Sequence, residues 1–373
     1  MKNRPVKLFA VVPPGLETIC RRELQPLGVR STRSVRGGVE FVGGLRELYL
    51  ANLWLRSASR VLVRVGEFRS RDFPAFFRKC RQLAWGEFIR PGQPLKIRVT
   101  SRKSRLFHTD RVEQVVREAI GHVLGEPRVD SSQVDVMLVV QVVDDHCLVS
   151  VDSSGEHLHR RGYRKQAVPA PIRENLAAGL LLHAGWSGHL PLLDPMCGSG
   201  SFVIEAALLA ANLPPGSNRH FAFMDWPGYR AGLWQTLLSE AGRQQTQPRI
   251  RIEGRDLSEE ALGAAQQNAA AAGVAEWIDW QVGDVLQLPP PEHPGLVICN
   301  PPYGGRLGDA TELPGWYRRL GLLFEQYYPE WKLALIVPDP GLLSGWQRDL
   351  RNRLSCKNGG IEVCFVCSDQ EKA

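Results

Sequence analysis

The sequence has no apolar run of the roughly 18–20 residues that a membrane-crossing helix needs, and no membrane partner is expected. The charged start, Met1-Lys2-Asn3-Arg4-Pro5-Val6-Lys7, is not followed by the apolar core of a signal peptide, so secretion is not expected either. Cysteine is sparse, with eight in 373 residues, and the spacing is nothing like the dense framework of a small disulfide-stapled domain. These cysteines read as reduced thiols of a cytoplasmic protein. Cys364 and Cys367 form a CxxC, but no second CxxC and no neighbouring His completes a zinc set. The stretch 361–367 reads better as a strand, and no metal is expected. His157, His159 and His183 have no metal spacing and read as structural or surface residues. Internal repeats and low-complexity tracts are also absent.

What is present is an uneven distribution of charge. The net charge is +7, yet residues 1–165 hold 30 Lys and Arg against 17 Asp and Glu, net +13. Residues 166–373 hold 16 against 22, net −6. A basic half of this kind is suited to an anion, which points to nucleic acid or an anionic membrane surface. The runs Arg69-Ser70-Arg71, Arg78-Lys79-Cys80-Arg81 and Arg102-Lys103-Ser104-Arg105 lie in that half. Taken singly, each would pass for a solvated surface. Together, in a region without nucleophile, metal cluster or phosphate loop, they favour phosphate contacts, which position RNA without reading its sequence. Arg160-Arg161-Gly162-Tyr163-Arg164-Lys165 reads equally as an RNA contact or as packing between domains.

The pattern of elements changes near residues 155–173. Upstream, strands are expected at 37–43, 61–65, 95–100, 134–143 and 147–151. Helices are expected over 45–55 and from Thr109, the latter with the stripe Val112, Val115, Val116, Ala119, Ile120 and Val123. Downstream, helix and strand alternate, which implies a parallel sheet covered on both faces. Strands are expected at 190–193, 250–254, 277–282, 296–299 and 333–337, and 361–367 is expected to be an antiparallel edge. Helices are expected at 177–183, 201–211 and 259–272, with 212–249 as a long insertion.

Four strand-end motifs carry the chemistry. Asp194-Pro195-Met196-Cys197-Gly198-Ser199-Gly200-Ser201 places glycines where a backbone turns sharply against a ligand at the carboxyl end of a strand. It is not a full GxGxxG, since Val203 takes the third glycine position, and no Lys-Ser/Thr follows as in a P-loop. Asp256 ends the next strand, where an acid can accept from both ribose hydroxyls of a nucleotide, although helix capping explains it equally well alone. Asp284 ends the strand after that, where it can meet an adenine amine. The sharpest motif is Asn300-Pro301-Pro302-Tyr303. Two prolines fix φ and remove two donors, which leaves carbonyls to accept. Asn300 Oδ1 and the Pro301 carbonyl can take the two N–H groups of an exocyclic base amine, and Tyr303 can stack on the ring. Such an amine is a poor nucleophile, so orienting it toward an electrophile would supply the rate through position and electrostatics.

These motifs resemble those of a known family. Asp194-Pro195-Met196-Cys197-Gly198-Ser199-Gly200 looks like motif I of class I S-adenosylmethionine-dependent methyltransferases, and Asn300-Pro301-Pro302-Tyr303 looks like motif IV of their amino-directed branch. The chain as a whole resembles the THUMP-domain RNA guanine-N2 methyltransferases, especially the type acting on bacterial 23S ribosomal RNA. The likeness takes in Pro14-Gly15-Leu16-Glu17, Arg36-Gly37-Gly38-Val39 and Leu158-His159-Arg160-Arg161-Gly162-Tyr163-Arg164. It continues through Pro171-Ile172-Arg173-Glu174-Asn175-Leu176-Ala177-Ala178, the Gly304-Gly305-Arg306-Leu307 that follows Tyr303, and Lys357-Asn358-Gly359. The resemblance implies an α/β fold in which a Rossmann-like methyltransferase domain follows an α+β ferredoxin-like and THUMP region. The implied bounds are 1–65 for the ferredoxin-like part, 66–155 for the THUMP domain, 156–173 for a linker and 174–373 for the catalytic domain. It also implies S-adenosyl-L-methionine held by Asp194, Cys197, Gly198, Gly200, Asp256 and Asp284, with Asn300, Pro301, Pro302 and Tyr303 at the guanine. Some relatives carry a second methyltransferase domain and this chain ends after the first, so the single-activity form is expected, and a monomer is expected as well.

Other readings compete. Guanine-N2 methylation of tRNA needs only a different RNA. Adenine-N6 methylation of DNA and methylation of protein glutamine can both use Asn-Pro-Pro-Tyr, but neither accounts for the basic half. A base-attacking Cys197 or Cys299, as in pyrimidine C5 methylation, would have no need of the Asn-Pro-Pro-Tyr acceptors. A non-catalytic ribosome-assembly factor would have no need of an intact Asp194, Gly198, Gly200 and Asn300. The expected target is an unpaired or flipped guanine, since its amine must reach the methyl donor.

Overall fold

The structure is a computed structural model describing residues 5–29, 31–125, 135–165, 171–287, 289–302, 312–350, 352–358 and 360–368. The chain forms two compact units, one of Met1–Val12, Arg21–Leu158 and Arg219–Ser239, the other of Pro13–Cys20, His159–Asn218 and Glu240–Ala373. Each unit thus borrows a segment that lies within the other's stretch of chain.

The first unit is built on β1 (Val6–Val11), β2 (Thr32–Val35), β3 (Gly38–Gly43), β4 (Arg60–Arg69), β5 (Leu95–Arg102), β6 (Val136–Val143) and β7 (His146–Asp152). They form one sheet in the order β2-β3-β1-β4-β7-β6-β5. Only β5 and β6 pair in parallel. Strand β4 joins the two halves of the sheet: Arg60–Val63 pairs with β1, and the strand then runs along β7 with a register slip between Arg64 and Gly66. The domain bound expected at residue 65 therefore falls inside a strand.

Helices α1 (Glu17–Leu24), α2 (Leu45–Trp54), α3 (Phe73–Arg81) and α4 (Thr109–Leu124) complete this part of the chain. Asp72 caps α3 by accepting from Ala75 N at 2.7 Å. The stripe of α4 is buried from Val112 to Ile120, whereas Val123, expected in the same stripe, is exposed in the last turn.

The second unit holds α5 (Glu174–His183), α6 (Ser201–Ala210), α8 (Glu259–Ala272) and α9 (Leu313–Tyr327), with α7 (Ala231–Arg243) shared across the division. Its strands are β8 (Leu192–Asp194), β9 (Ile252–Asp256), β10 (Asp279–Val282), β11 (Leu296–Cys299), β12 (Lys332–Val337), β13 (Asn352–Asn358) and β14 (Ile361–Cys367). The sheet order is β10-β9-β8-β11-β12-β14-β13, parallel from β10 to β12.

The last two strands are antiparallel. The edge expected at 361–367 is therefore corrected: β14 lies inside, and β13 is the outer strand. Asn352-Arg353-Leu354-Ser355-Cys356-Lys357-Asn358 is too polar to announce itself as a strand, as edge strands often are. Along β11, Val297 and Cys299 enter one apolar core, and Leu296 and Ile298 enter the other. Both faces are covered, which is why this strand reads as a continuous apolar run.

Part of the expected insertion belongs to the first unit. Phe223 stacks on Tyr49 with centroids 4.3 Å apart, and Trp234 meets the same ring edge-on at 5.9 Å. The Tyr49 hydroxyl accepts from Arg230 N at 3.0 Å. No helix among the described residues is long and apolar enough to cross a membrane.

Candidate active site

The parallel order β10-β9-β8-β11 sets four loops side by side at the carboxyl ends of the strands, and chain order reverses between β8 and β11. Open α/β sheets bind ligands in such a crevice. Asp194 ends β8, Asp256 ends β9, Asp284 stands two residues beyond β10, and Asn300 immediately follows β11.

The loop after β8 is tied to its neighbour. Gly198 N donates to Asp256 Oδ2 at 2.8 Å, and Cys197 N donates to Arg255 O at 2.8 Å. Gly198 and Gly200 have φ of 54° and 83°, the left-handed region where glycine is favoured. At Gly254 on β9, an added Cβ would lie 2.8 Å from the Trp280 ring, so the loop's neighbourhood is packed to the limit of glycine.

Asp194 is buried and accepts from Met196 N at 3.2 Å. Burial pushes its carboxyl well above the usual range, and the nearby Asp256 charge pushes the same way. Asp256 Oδ1 accepts from Ser258 N at 3.0 Å, and Asp284 Oδ1 accepts from Leu286 N at 3.0 Å. Each carboxylate oxygen has a second lone pair, so capacity remains for ligand hydroxyls or amines. Leu257, beside Asp256, is an apolar side chain left 72% exposed, and Val282 at the end of β10 is 48% exposed. Neither carries a motif that the sequence could single out.

On the other side of β8, Asn300 Oδ1 is buried and has no hydrogen-bond partner among the described residues. A buried amide oxygen without a donor is costly unless a ligand supplies one. Pro301 is buried and Pro302 half-buried. Tyr303 lies outside the described residues, as does the Gly304-Gly305-Arg306-Leu307 stretch. The acids, the glycine loop and the unpaired amide are the features a nucleotide-like methyl donor and an acceptor amine would need, so the residues present fit such a cofactor.

Cys197 and Cys299 are not placed for nucleophilic work. Both are buried, and burial pushes both thiols well above their usual range. Cys364 and Cys367 stand three residues apart on β14, hence on opposite faces. Burial also pushes the Cys356 thiol up to about 11, against the thiolate a metal needs.

Of the run Arg160-Arg161-Gly162-Tyr163-Arg164-Lys165, the side chains of Arg161, Tyr163 and Arg164 pack within the second unit, while Arg160 and Lys165 are exposed. Arg164 Nε donates to Glu174 at 2.9 Å, and its Nη2 reaches Ile172 O at 2.9 Å and Ser201 Oγ at 3.0 Å. Its Nη1 lies 3.4 Å from Ser199 Oγ. Arg161 and Tyr163 both meet the buried Glu205. Asn268 completes the support, donating to Ser199 O at 3.2 Å and accepting from Lys165 N at 2.8 Å. Arg164 and Asn268 therefore hold the glycine loop from behind. The sequence shows that run plainly, but only the fold reveals its carboxylate and carbonyl partners.

A family described as RMKL-like, methyltransferase domain, matches residues 161–362. An RlmL ferredoxin-like domain matches 7–62, and a THUMP domain matches 70–152. The ribosomal RNA large subunit methyltransferase K/L of Methylococcus capsulatus is 38% identical over 88% of this chain and 46% of its own. This chain thus spans about half the length of that relative. A candidate RNA methyltransferase of Synechocystis is 34% identical over 96% of this chain and 95% of its own. The solved structure of SMU.472, a candidate methyltransferase complexed with S-adenosylhomocysteine, superposes with a TM-score of 0.90 at 29% identity and covers 100% of both chains.

Proposed function

The chain belongs to the RMKL-like methyltransferase family, and from that premise we propose that it methylates N2 of guanine in RNA, with 23S ribosomal RNA as substrate. The observation that carries this reading is the buried Asn300 Oδ1 just after β11, one strand from Asp194, which has no hydrogen-bond partner among the described residues. S-adenosyl-L-methionine, when bound, supplies a methyl group on a sulfonium. Gly198 and Gly200 let the backbone pass close to it, while Asp194 and Cys197 shape the loop from within the core. Asp256 accepts from the ribose hydroxyls and Asp284 from the adenine amine. Asn300 Oδ1 and the Pro301 carbonyl accept the two N–H groups of the guanine amine and aim its nitrogen at the donor. Pro302 stiffens that turn, and Tyr303 stacks on the base. Asn300 is neutral, so it acts by position and not as a base.

The basic N-terminal half supplies the RNA grip in this reading. The division 1–65, 66–155, 156–173 and 174–373 goes with it, as do a cytoplasmic location and a monomeric state. The large-subunit rRNA name of the Methylococcus relative supports the choice of RNA.

Transfer of tritiated methyl to unmodified rRNA and to tRNA, followed by nucleoside analysis, tests the proposal. N2-methylguanosine in rRNA is the expected product. Product in tRNA alone replaces the substrate, and N6-methyladenosine alone overturns the assignment. Asn300→Ala is expected to bind RNA normally and to lose about 10²–10³-fold in kcat. Undiminished transfer by that variant removes Asn300 from the mechanism.

A further inference from the structure

The loop between β5 and α4 presents an aromatic ring in a position that the folding of the unit does not explain. Phe107 is 64% exposed, and no large aromatic among the described residues is more so. The residue before it, Leu106, is 1% exposed and anchors the loop in the core. Arg102 at the end of β5 and Lys103 and Arg105 in the loop are all exposed. The Phe107 ring lies 4.0 Å from the His108 ring, centroid to centroid, so two flat rings stand close in sequence to three exposed cationic residues.

This loop is built, not slack. Asp145 Oδ1 accepts from Arg105 N at 2.8 Å and from Ser104 Oγ at 3.0 Å, while its Oδ2 accepts from Arg71 Nε at 3.2 Å. Ser101 Oγ donates to Leu106 O at 2.8 Å, and Leu106 N donates to Ser104 Oγ at 3.2 Å. Lys103 is held at φ 49°. A protein that orders a loop this closely and then leaves a phenyl ring in water forgoes the apolar burial the ring could provide.

We infer that this loop is a binding site for an unpaired nucleotide of single-stranded RNA, whose base stacks on Phe107 while Arg102, Lys103 and Arg105 meet the flanking phosphates. Aromatic rings beside cationic side chains are the features by which proteins hold single strands without reading sequence. A duplex buries its base faces against each other, so it offers phosphates to this loop but no face to the ring. The inference rests on the proposed RNA substrate and adds to it the place and the strandedness of one contact.

The test uses the full chain without methyl donor, and reads fluorescence anisotropy with a labelled 12-nucleotide oligouridine and, separately, a blunt RNA duplex of equal length. Phe107→Ala is expected to weaken oligouridine binding on the order of tenfold and to leave duplex binding unchanged. Phe107→Tyr keeps a stacking ring and is expected to bind both as the parent does. Arg105→Ala is expected to lower the salt slope for oligouridine by about 0.7. Wild-type oligouridine affinity in Phe107→Ala overturns the inference, as does equal loss for both probes. A protein-docking role for the ring predicts the first of these. The readout is independent of catalysis. If RNA is not methylated but Phe107→Ala loses the single strand, the substrate proposal fails and this site stands. If RNA is methylated and the variant binds normally, only this site fails.

Discussion

Arg161 and Arg164 end against carboxylates inside the second unit, whereas Arg102 and Arg105 end in solvent in the first. Arg164 engages Glu174, Ile172 O and Ser201 at once, and Arg161 lies 3.4 Å from Glu205 with both side chains nearly inaccessible. In the exposed loop, Asp145 accepts from the Arg105 backbone amide, while the Arg105 side chain stays exposed. The difference teaches what a basic residue is for in each place. A guanidinium enclosed with a carboxylate is part of the fold, and removing it strands a buried charge. An exposed one costs the fold little and remains available to a phosphate. Formal charge counts the two alike, so the +13 of the first 165 residues overstates the basic surface by including Arg161 and Arg164.

The largest effect expected from this contrast is in Arg164→Ala. It leaves Glu174, whose side chain is only 6% exposed, without its arginine partner, and removes a donor from Ile172 O ahead of α5 and from Ser201 Oγ at the start of α6. A loss of about 3 kcal/mol in unfolding free energy is expected, measured by urea denaturation of the full chain. Arg164→Lys should recover only part of it, because an ammonium cannot reproduce a fork that serves four acceptors. Stability within about 0.5 kcal/mol of the parent in Arg164→Ala breaks the comparison at once, by placing the buried run in the same class as the exposed one.

Asn268→Ala comes next. The side chain is 1% exposed and bridges Ser199 O to Lys165 N. Without it the glycine loop loses its rear support, at about 1–3 kcal/mol for the unpaired buried groups. On the proposed function, this is a positioning effect. The KM for S-adenosylmethionine should rise by roughly tenfold while kcat changes less, since the support is needed in ground and transition states alike. An unchanged KM with a depressed kcat would instead put Asn268 at the reacting end of the site.

These contacts also show where sequence reading stops. The strands 296–299 and 361–367 were expected with the observed bounds, because continuous apolar runs in a doubly covered sheet are hard to mistake. The acids at Asp194, Asp256 and Asp284 and the amide at Asn300 could be aligned in advance, because each follows a strand in one parallel sheet. Asn268 could not be singled out, because its partners lie 69 and 103 residues away. β13 was hidden by its polar composition. The aromatics of 219–239 were visible, but their packing on Tyr49 was not, because that contact spans more than 170 residues of chain. Long-range pairing leaves no local period to read.

A smaller effect is expected from the exposed loop. Arg102→Ala, Lys103→Ala and Arg105→Ala should each change stability by less than about 0.5 kcal/mol. If any of them destabilises as strongly as Arg164→Ala in the same urea titration, the loop is held by its side-chain charges and the contrast between the runs collapses.

The smallest effect separates the loop's order from its charge. Three donors hold Asp145: the Arg105 amide first, with the Ser104 hydroxyl and the Arg71 guanidinium adding to it, and together they hold its carboxyl below the usual range. A depressed folded-state pKa means that the unfolded chain binds the proton more readily. The clamp's contribution is therefore complete above the ordinary aspartate value of about 3.9, and is lost as pH falls through the lower folded value. Amide exchange at Arg105, corrected for its intrinsic pH dependence, should be protected at pH values above that point and should lose protection as acid is added. Asp145→Asn lacks the titrating group, so its exchange should be faster and flat across the same range. If the parent is also flat, the loop owes its shape to the buried Leu106 alone, and the carboxylate clamp is incidental to how Phe107 is presented.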